Sequence, residues 1–231
     1  MKTDTIAAIA TGMNPSGISI IRVSGDDAVS VVDGISSVGV MELKKDDWGI
    51  DILVSASQKG LMLPPGLSFL SVSEKAWDLY EKCLYHSEYF DWKRYKYAYE
   101  HTTVPYTPAV NLVCALDNIL KYIKQIGLES LINERENLMK ILRAGLKDLG
   151  LKLLTEDDKK SSSAVVAVYP PKGILASDVI QTMKKNYNII IAGGQGDLAG
   201  KIFRIGALGD ISENEISFTL DALAATIKSL S

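Results

Sequence analysis

Short apolar runs separated by polar, helix-compatible segments recur along this chain, and that alternation limits the fold more than any other feature. Residues 5–10 (TIAAIA) and 17–23 (GISIIRV) read as two strands joined by the turn-rich connector Thr11-Gly12-Met13-Asn14-Pro15-Ser16, a hairpin pattern. Further apolar runs follow at residues 29–32, 50–54 and 67–72, and Ser73 then caps a helix carrying Glu74, Ala76, Trp77, Tyr80 and Leu84. A helical turn is expected over residues 24–28. Strands interleaved with helices predict an α/β layer architecture.

From Pro108 the period changes. Val110, Val113, Leu116, Ile119, Leu120 and Ile123 recur at helical spacing until Gly127, which predicts one long helix. A second helix is expected over residues 130–149, burying Leu131, Leu138, Ile141, Leu142, Leu146 and Leu149, with Gly150 as its stop. Residues 152–154, 164–169, 189–192 and 202–205 read as strands, with a helix over 176–186 and a capped helix from Ser212. Glu156 to Ser163 (EDDKKSSS) reads as a polar loop.

Composition narrows the function. With 47% hydrophobic and 23% charged residues the chain belongs among globular proteins. A net charge of -3 offers no basic field for nucleic acid or anionic lipid, so neither is an expected partner, and small anionic substrates need a local positive site. Two cysteines, Cys83 and Cys114, lack the spacing of a zinc site and are too few for a disulfide framework, so no metal is expected and the expected compartment is the cytoplasm. No stretch approaches the roughly 20 apolar residues of a membrane span, and residues 6–10 lack the basic leading region of a signal peptide.

The segment from Val31 to Ser73 carries the chemistry. Asp33 ends an apolar run, where a carboxylate is costly unless it meets a cation or a donor. Lys59 follows a second run, in Ser55-Ala56-Ser57-Gln58-Lys59-Gly60, and Pro64-Pro65-Gly66 turns the chain away. This segment resembles the cofactor-binding heart of class V pyridoxal-phosphate-dependent aminotransferases, specifically the alanine-glyoxylate and serine-pyruvate branch. The resemblance extends over residues 29–231. It implies an aspartate-aminotransferase-like fold (fold type I), with a truncated cofactor domain and a smaller α/β C-terminal domain. It also implies a pyridoxal 5'-phosphate cofactor, with Asp33 under the ring nitrogen, Gln58 touching the cofactor, and Lys59 holding it covalently and moving the proton.

Two further segments join the resemblance. Tyr99-Glu100-His101-Thr102 resembles the family segment that reaches the neighbouring subunit's cofactor phosphate, which implies a homodimer with Tyr99 and Thr102 as hydroxyl donors; a buried tyrosine with an ordinary partner is the alternative, and His101 reads as a capping or packed histidine. Ala192-Gly193-Gly194-Gln195-Gly196, with Gly200-Lys201-Ile202-Phe203-Arg204-Ile205-Gly206 after it, resembles the substrate-side loop and strand, with Arg204 gripping a substrate carboxylate. A strand arginine paired with a surface carboxylate is the alternative there.

Residues 1–32 instead resemble the N-terminus of the tRNA wobble-uridine-modifying GTPase, in the pattern Asp4 to Thr11 and Gly17 to Gly25. The chain then reads as a fusion near Asp33, in which a foreign hairpin segment (1–32) stands in place of the family's upstream phosphate-binding loop. A partial cofactor-binding domain (33–125) and a small C-terminal domain (126–231) follow. No GxxxxGK[ST] loop is present, which excludes GTP hydrolysis by this chain. Three functions are in play: transamination between a small amino acid (alanine or serine) and a 2-oxo acid (glyoxylate or pyruvate); a folded scaffold or interaction protein derived from an aminotransferase; and a tRNA-modification or folate-binding factor acting through the N-terminal segment.

Overall fold

A computed structural model describes residues 6–9, 19–24, 28–84 and 87–231, with side chains described from residue 28 onward. The chain divides into two compact units, Met1–Ile35 with Leu43–Gln125, and Ser36–Glu42 with Ile126–Ser231. The expected connector at 11–16 and most of the helical turn expected over 24–28 lie outside the described residues.

The first unit is built on five strands: β1 (Ile6–Ile9), β2 (Ser19–Ser24), β3 (Val31–Asp33), β4 (Ile52–Ala56) and β5 (Ser68–Val72), adjacent in that order. β1 and β2 pair antiparallel, as the hairpin pattern predicts, and β2 lies antiparallel to β3. β3 and β4 run parallel, with Asp33 opposite Val54. β5 returns antiparallel along β4, because loop 57–67 is a tight reversal and parallel neighbours need a longer crossover.

One carboxylate fixes how this sheet begins. Asp51, just before β4, accepts from the Ser30 amide (2.9 Å) through Oδ2 and from the Ser73 hydroxyl (2.9 Å) through Oδ1, with the Lys75 ammonium 3.7 Å away. Burial alone raises its pKa; the hydrogen bonds from Ser30 and Ser73 and the charge of Lys75 outweigh burial and hold the carboxyl below its usual range. Ser73 also caps α1 (Glu74–Glu81) by accepting from the Ala76 amide, so Asp51 and Ser73 together tie the starts of β3 and β4 to a helix start.

The helix α2 (Trp92–Glu100) is capped by Asp91 and was not expected from the sequence, because KRYKYAYE carries no apolar stripe and buries only Ala98. Ring packing holds it: Trp92 stacks on Tyr80 of α1 at 5.1 Å and meets Trp77 edge-on at 5.7 Å. The Tyr80 hydroxyl donates to Asp91 and accepts from the Trp92 amide. The helix α3 (Val110–Ile126) matches the predicted long helix, yet none of its residues is buried, and Val113 and Leu120 are exposed. Spacing predicts a stripe; it does not say what covers the stripe.

The second unit packs α4 (Leu128–Asp148), α5 (Ala176–Tyr187) and α6 (Glu213–Leu230) with an antiparallel sheet ordered β6 (Lys152–Leu153), β7 (Val165–Tyr169), β9 (Phe203–Gly206), β8 (Ala192–Gly193). Its core joins Met139, Leu142 and Leu146 of α4, Val179 and Met183 of α5, Val168, Phe203 and Leu223. Two of the residues expected in the α4 core are exposed: Ile141 lies off the stripe of Leu131, Leu138, Leu142 and Leu146, and Leu149 is the C-cap, past the end of the helix. The strand expected over 189–192 also begins late. After α5, Asn188 turns left-handed (φ +56°), and the amides of Asn188 and Ile189 return to α5 carbonyls, so the apolar run closes the helix before any pairing starts. The cap expected at Ser212 forms, as a capping box with Glu215, whose carboxyl is held below its ordinary range by the Ser212 amide and hydroxyl. The polar loop at 156–163 contains one 3₁₀ turn, where Asp158 pairs with Lys147 and the buried Arg143, and Lys147 above all lowers its pKa.

Candidate active site

Asp33 is the last residue of β3, and Lys59 stands three residues past the end of its parallel neighbour β4. Both therefore lie at the carboxyl ends of the only parallel pair among the described strands, the end at which α/β sheets collect their ligands. The Gly34 amide donates to the Val54 carbonyl at 2.8 Å and the Ile35 amide to Asp33 Oδ1 at 2.9 Å, which folds the chain over the strand end. Asp33 itself is exposed, so the burial cost expected for a carboxylate at this position does not arise. Among the described residues the Ile35 amide is its one donor and no cation pairs with it.

Lys59 is half-buried and makes no ion pair among the described residues, while Gln58 beside it is exposed. Loop 57–67 is closed by the fully buried Ser57, a residue that sequence reasoning passed over. Its amide donates to the Leu67 carbonyl (3.1 Å), its carbonyl accepts from Leu63 (3.1 Å), and its hydroxyl donates to Pro64 (2.7 Å) and accepts from Leu67 (3.2 Å). Two residues earlier, Ser55 Oγ is buried with no partner among the described residues.

Tyr99 and Thr102 sit together at the end of α2, in an open hollow lined by Ala98, Tyr99, Glu100, Thr102, Thr103 and Val104. Tyr99 is 87% exposed, which removes the alternative of a buried tyrosine with an ordinary partner. Thr102 adopts φ +52°, a conformation that a β-branched residue takes only under constraint. His101 caps α2, stacks on Tyr97 at 3.9 Å and places Nδ1 2.8 Å from the Tyr97 carbonyl, a packed capping histidine.

Arg204 lies in the second unit, on β9, between Ala167 of β7 and Ala192 of β8. Its Nε donates to the Gly193 carbonyl at 2.7 Å. Among the described residues no carboxylate pairs with it, so the alternative of a strand arginine held by a surface carboxylate is not what forms. The Arg204 guanidinium is half-buried, with the Nε edge anchored and the two terminal amino groups unengaged among the described residues.

These residues fit pyridoxal phosphate in three respects: an exposed carboxylate at a strand end for the ring nitrogen, a half-buried amine without an ion pair in the loop just past the next strand, and exposed hydroxyls in a hollow. Among the described residues no cluster of acidic, histidine or cysteine side chains suits a metal, and no helix is long and apolar enough to cross a membrane.

Comparison with known proteins agrees. The pattern described as aminotransferase class-V matches residues 11–204. A Synechococcus protein named soluble hydrogenase, small subunit, is 42% identical over 88% of this chain and 52% of its own length. Serine–glyoxylate aminotransferase of Arabidopsis thaliana is 34% identical over 95% of this chain and 56% of its own. The crystal structure of alanine–glyoxylate aminotransferase from Nostoc superposes with a TM-score of 0.81 at 28% identity, over 85% of this chain and 53% of that one. The chain thus spans about half the length of the relatives it matches, and it shares with them the aspartate-aminotransferase-like fold, type I. It belongs to the class-V aminotransferases, a pyridoxal-phosphate-dependent family of enzymes.

Proposed function

We propose that this chain carries the lysine, aspartate and carboxylate-binding arginine of a pyridoxal-phosphate-dependent transamination, between alanine or serine as amino donor and glyoxylate or pyruvate as 2-oxo acid. The observation that carries this reading is the placement of Asp33 at the carboxyl end of β3 and of Lys59 just past that of its parallel neighbour β4. Pyridoxal phosphate, when bound, supplies an aldehyde and an electron-withdrawing ring that stabilises negative charge on the substrate α-carbon.

The chain's own residues do the rest. Asp33 would accept a hydrogen bond from the protonated ring nitrogen and keep that nitrogen charged. Lys59 would offer its amine for covalent attachment to the cofactor aldehyde and, once free, would serve as the base that takes and moves the substrate α-proton. Gln58 flanks the lysine and touches the cofactor. Arg204 meets the substrate carboxylate with its free amino groups. Tyr99 and Thr102 donate hydroxyls to the phosphate held by the neighbouring subunit of a homodimer, which accounts for a tyrosine standing 87% exposed. The expected setting is the cytoplasm.

The test is an absorbance spectrum of the purified chain, incubated with pyridoxal phosphate and desalted, beside Lys59→Ala. A retained visible band that the variant lacks supports the reading, and alanine with glyoxylate then serves as the assay. Colour kept by neither protein overturns it and leaves a folded aminotransferase-derived scaffold.

A further inference from the structure

The Arg204 guanidinium owes its direction to a single bond, and that bond depends on how closely β8 approaches the turn after it. β8 has two residues, and Gly193 lies opposite Phe203 while Ala192 lies opposite Arg204. The Gly194 amide extends the pairing by donating to the Ile202 carbonyl at 3.0 Å. The chain then doubles back through a 3₁₀ turn at Gly196–Leu198, closed by Leu198 donating to Gln195, Ala199 to Gly196 and Lys201 to Leu198.

A Cβ on Gly194 would lie 2.0 Å from the Leu198 carbonyl oxygen, 2.6 Å from its carbon and 2.9 Å from Ile202 Cγ1. Two of those atoms are backbone in a hydrogen-bonded turn, so they do not swing aside as a side-chain tip does. The need for glycine here is one of space, since Gly194 is not among the glycines with positive φ. Its neighbour differs: a Cβ on Gly193 meets only Ile180 Cδ1, at 3.6 Å, an ordinary contact.

We propose that Gly194 is a positioning residue for the Arg204 fork. Its missing side chain lets the Leu198 carbonyl pass β8, which holds the Gly193 carbonyl where it can take the Arg204 Nε proton. With Nε engaged, a carboxylate meets this guanidinium only end-on, across the two terminal amino groups. The end-on carboxylate rests on the transamination reading above; the positioning does not.

The test is the Nε–H signal of Arg204 in the full chain labelled with ¹⁵N-arginine, assigned by its loss in Arg204→Lys. Arg143 and Arg135, buried in the same unit, report on the fold. The wild type is expected to show an Nε–H protected from solvent exchange, Gly193→Ala to keep it, and Gly194→Ala to lose that protection while the Arg143 and Arg135 signals stay in place. An Arg204 signal that exchanges like an exposed arginine in the wild type, or survives unchanged in Gly194→Ala, overturns the proposal. If Gly194→Ala does not fold, the wild-type exchange and the Gly193→Ala signal decide it by the same criteria. Pyruvate added to the wild type separates the two claims: protection lost in Gly194→Ala with no response to pyruvate upholds the positioning and sinks carboxylate binding.

Discussion

Ser57 closes the loop that presents Lys59, and every polar group it owns is spent there. Ser57→Ala removes the part-buried bonds of its hydroxyl to the Pro64 carbonyl and the Leu67 amide, which costs about 0.5–1.5 kcal/mol, and thermal unfolding should report it. Under the cofactor reading the same variant also loses bound pyridoxal phosphate faster on dilution. Gln58→Ala is exposed one residue away, and its stability should stay within about 0.5 kcal/mol of the wild type; a larger loss at Gln58 than at Ser57 contradicts this account. Lys59, Asp33 and Arg204 were recognisable as candidates from the sequence because each lies in a segment that resembles a family motif. Ser57 was not, because its partners are backbone groups seven and ten residues further on, which any residue type supplies.

At the scale of elements, periodicity located the helices better than it located their burial. The stripes of α3 and α4 look alike in the sequence, yet α3 buries none of its residues while α4 buries Leu131, Leu138, Met139, Leu142 and Leu146. The difference makes a prediction that spacing alone does not. Leu142→Ala removes a fully buried side chain from the core of the second unit and should cost about 2–5 kcal/mol in a denaturant titration. Leu120→Ala on α3, where the side chain is 50% exposed, should cost a small fraction of that. Equal losses at the two positions would mean that the α3 stripe is covered in solution. The missed α2 has the opposite cause: its stability comes from Tyr80, Trp92 and the Asp91 cap, contacts across the α1–α2 junction that no window along one helix reveals. The fold class was legible because strand and helix periods alternate, whereas the late start of β8 depended on a left-handed Asn188 that its residue type only permits.

Over the whole molecule, carboxylates with depressed pKa values set the response to acid. Asp51 in the first unit and Asp158 and Glu215 in the second all titrate below their ordinary range, because each accepts hydrogen bonds or faces ammonium and guanidinium groups in the folded chain. A group whose folded pKa is lowered binds its proton more readily when unfolded, where the ordinary values are about 3.9 for Asp and 4.3 for Glu. Its contribution is therefore complete above that pH and is lost as the pH falls through the folded value. The thermal midpoint should be level between about pH 7 and pH 5 and drop below about pH 4. Asp158 and Glu215 are solvent-facing, so most of the effect should come from Asp51, whose side chain is 13% exposed and ties β4 to Ser30 and Ser73. Asp51→Asn, an amide that cannot ionise, should lower the midpoint at pH 7 and flatten the acid limb, so the curves of variant and wild type converge at low pH. Parallel curves would show that the Asp51 charge contributes nothing and that its hydrogen bonds act through shape alone.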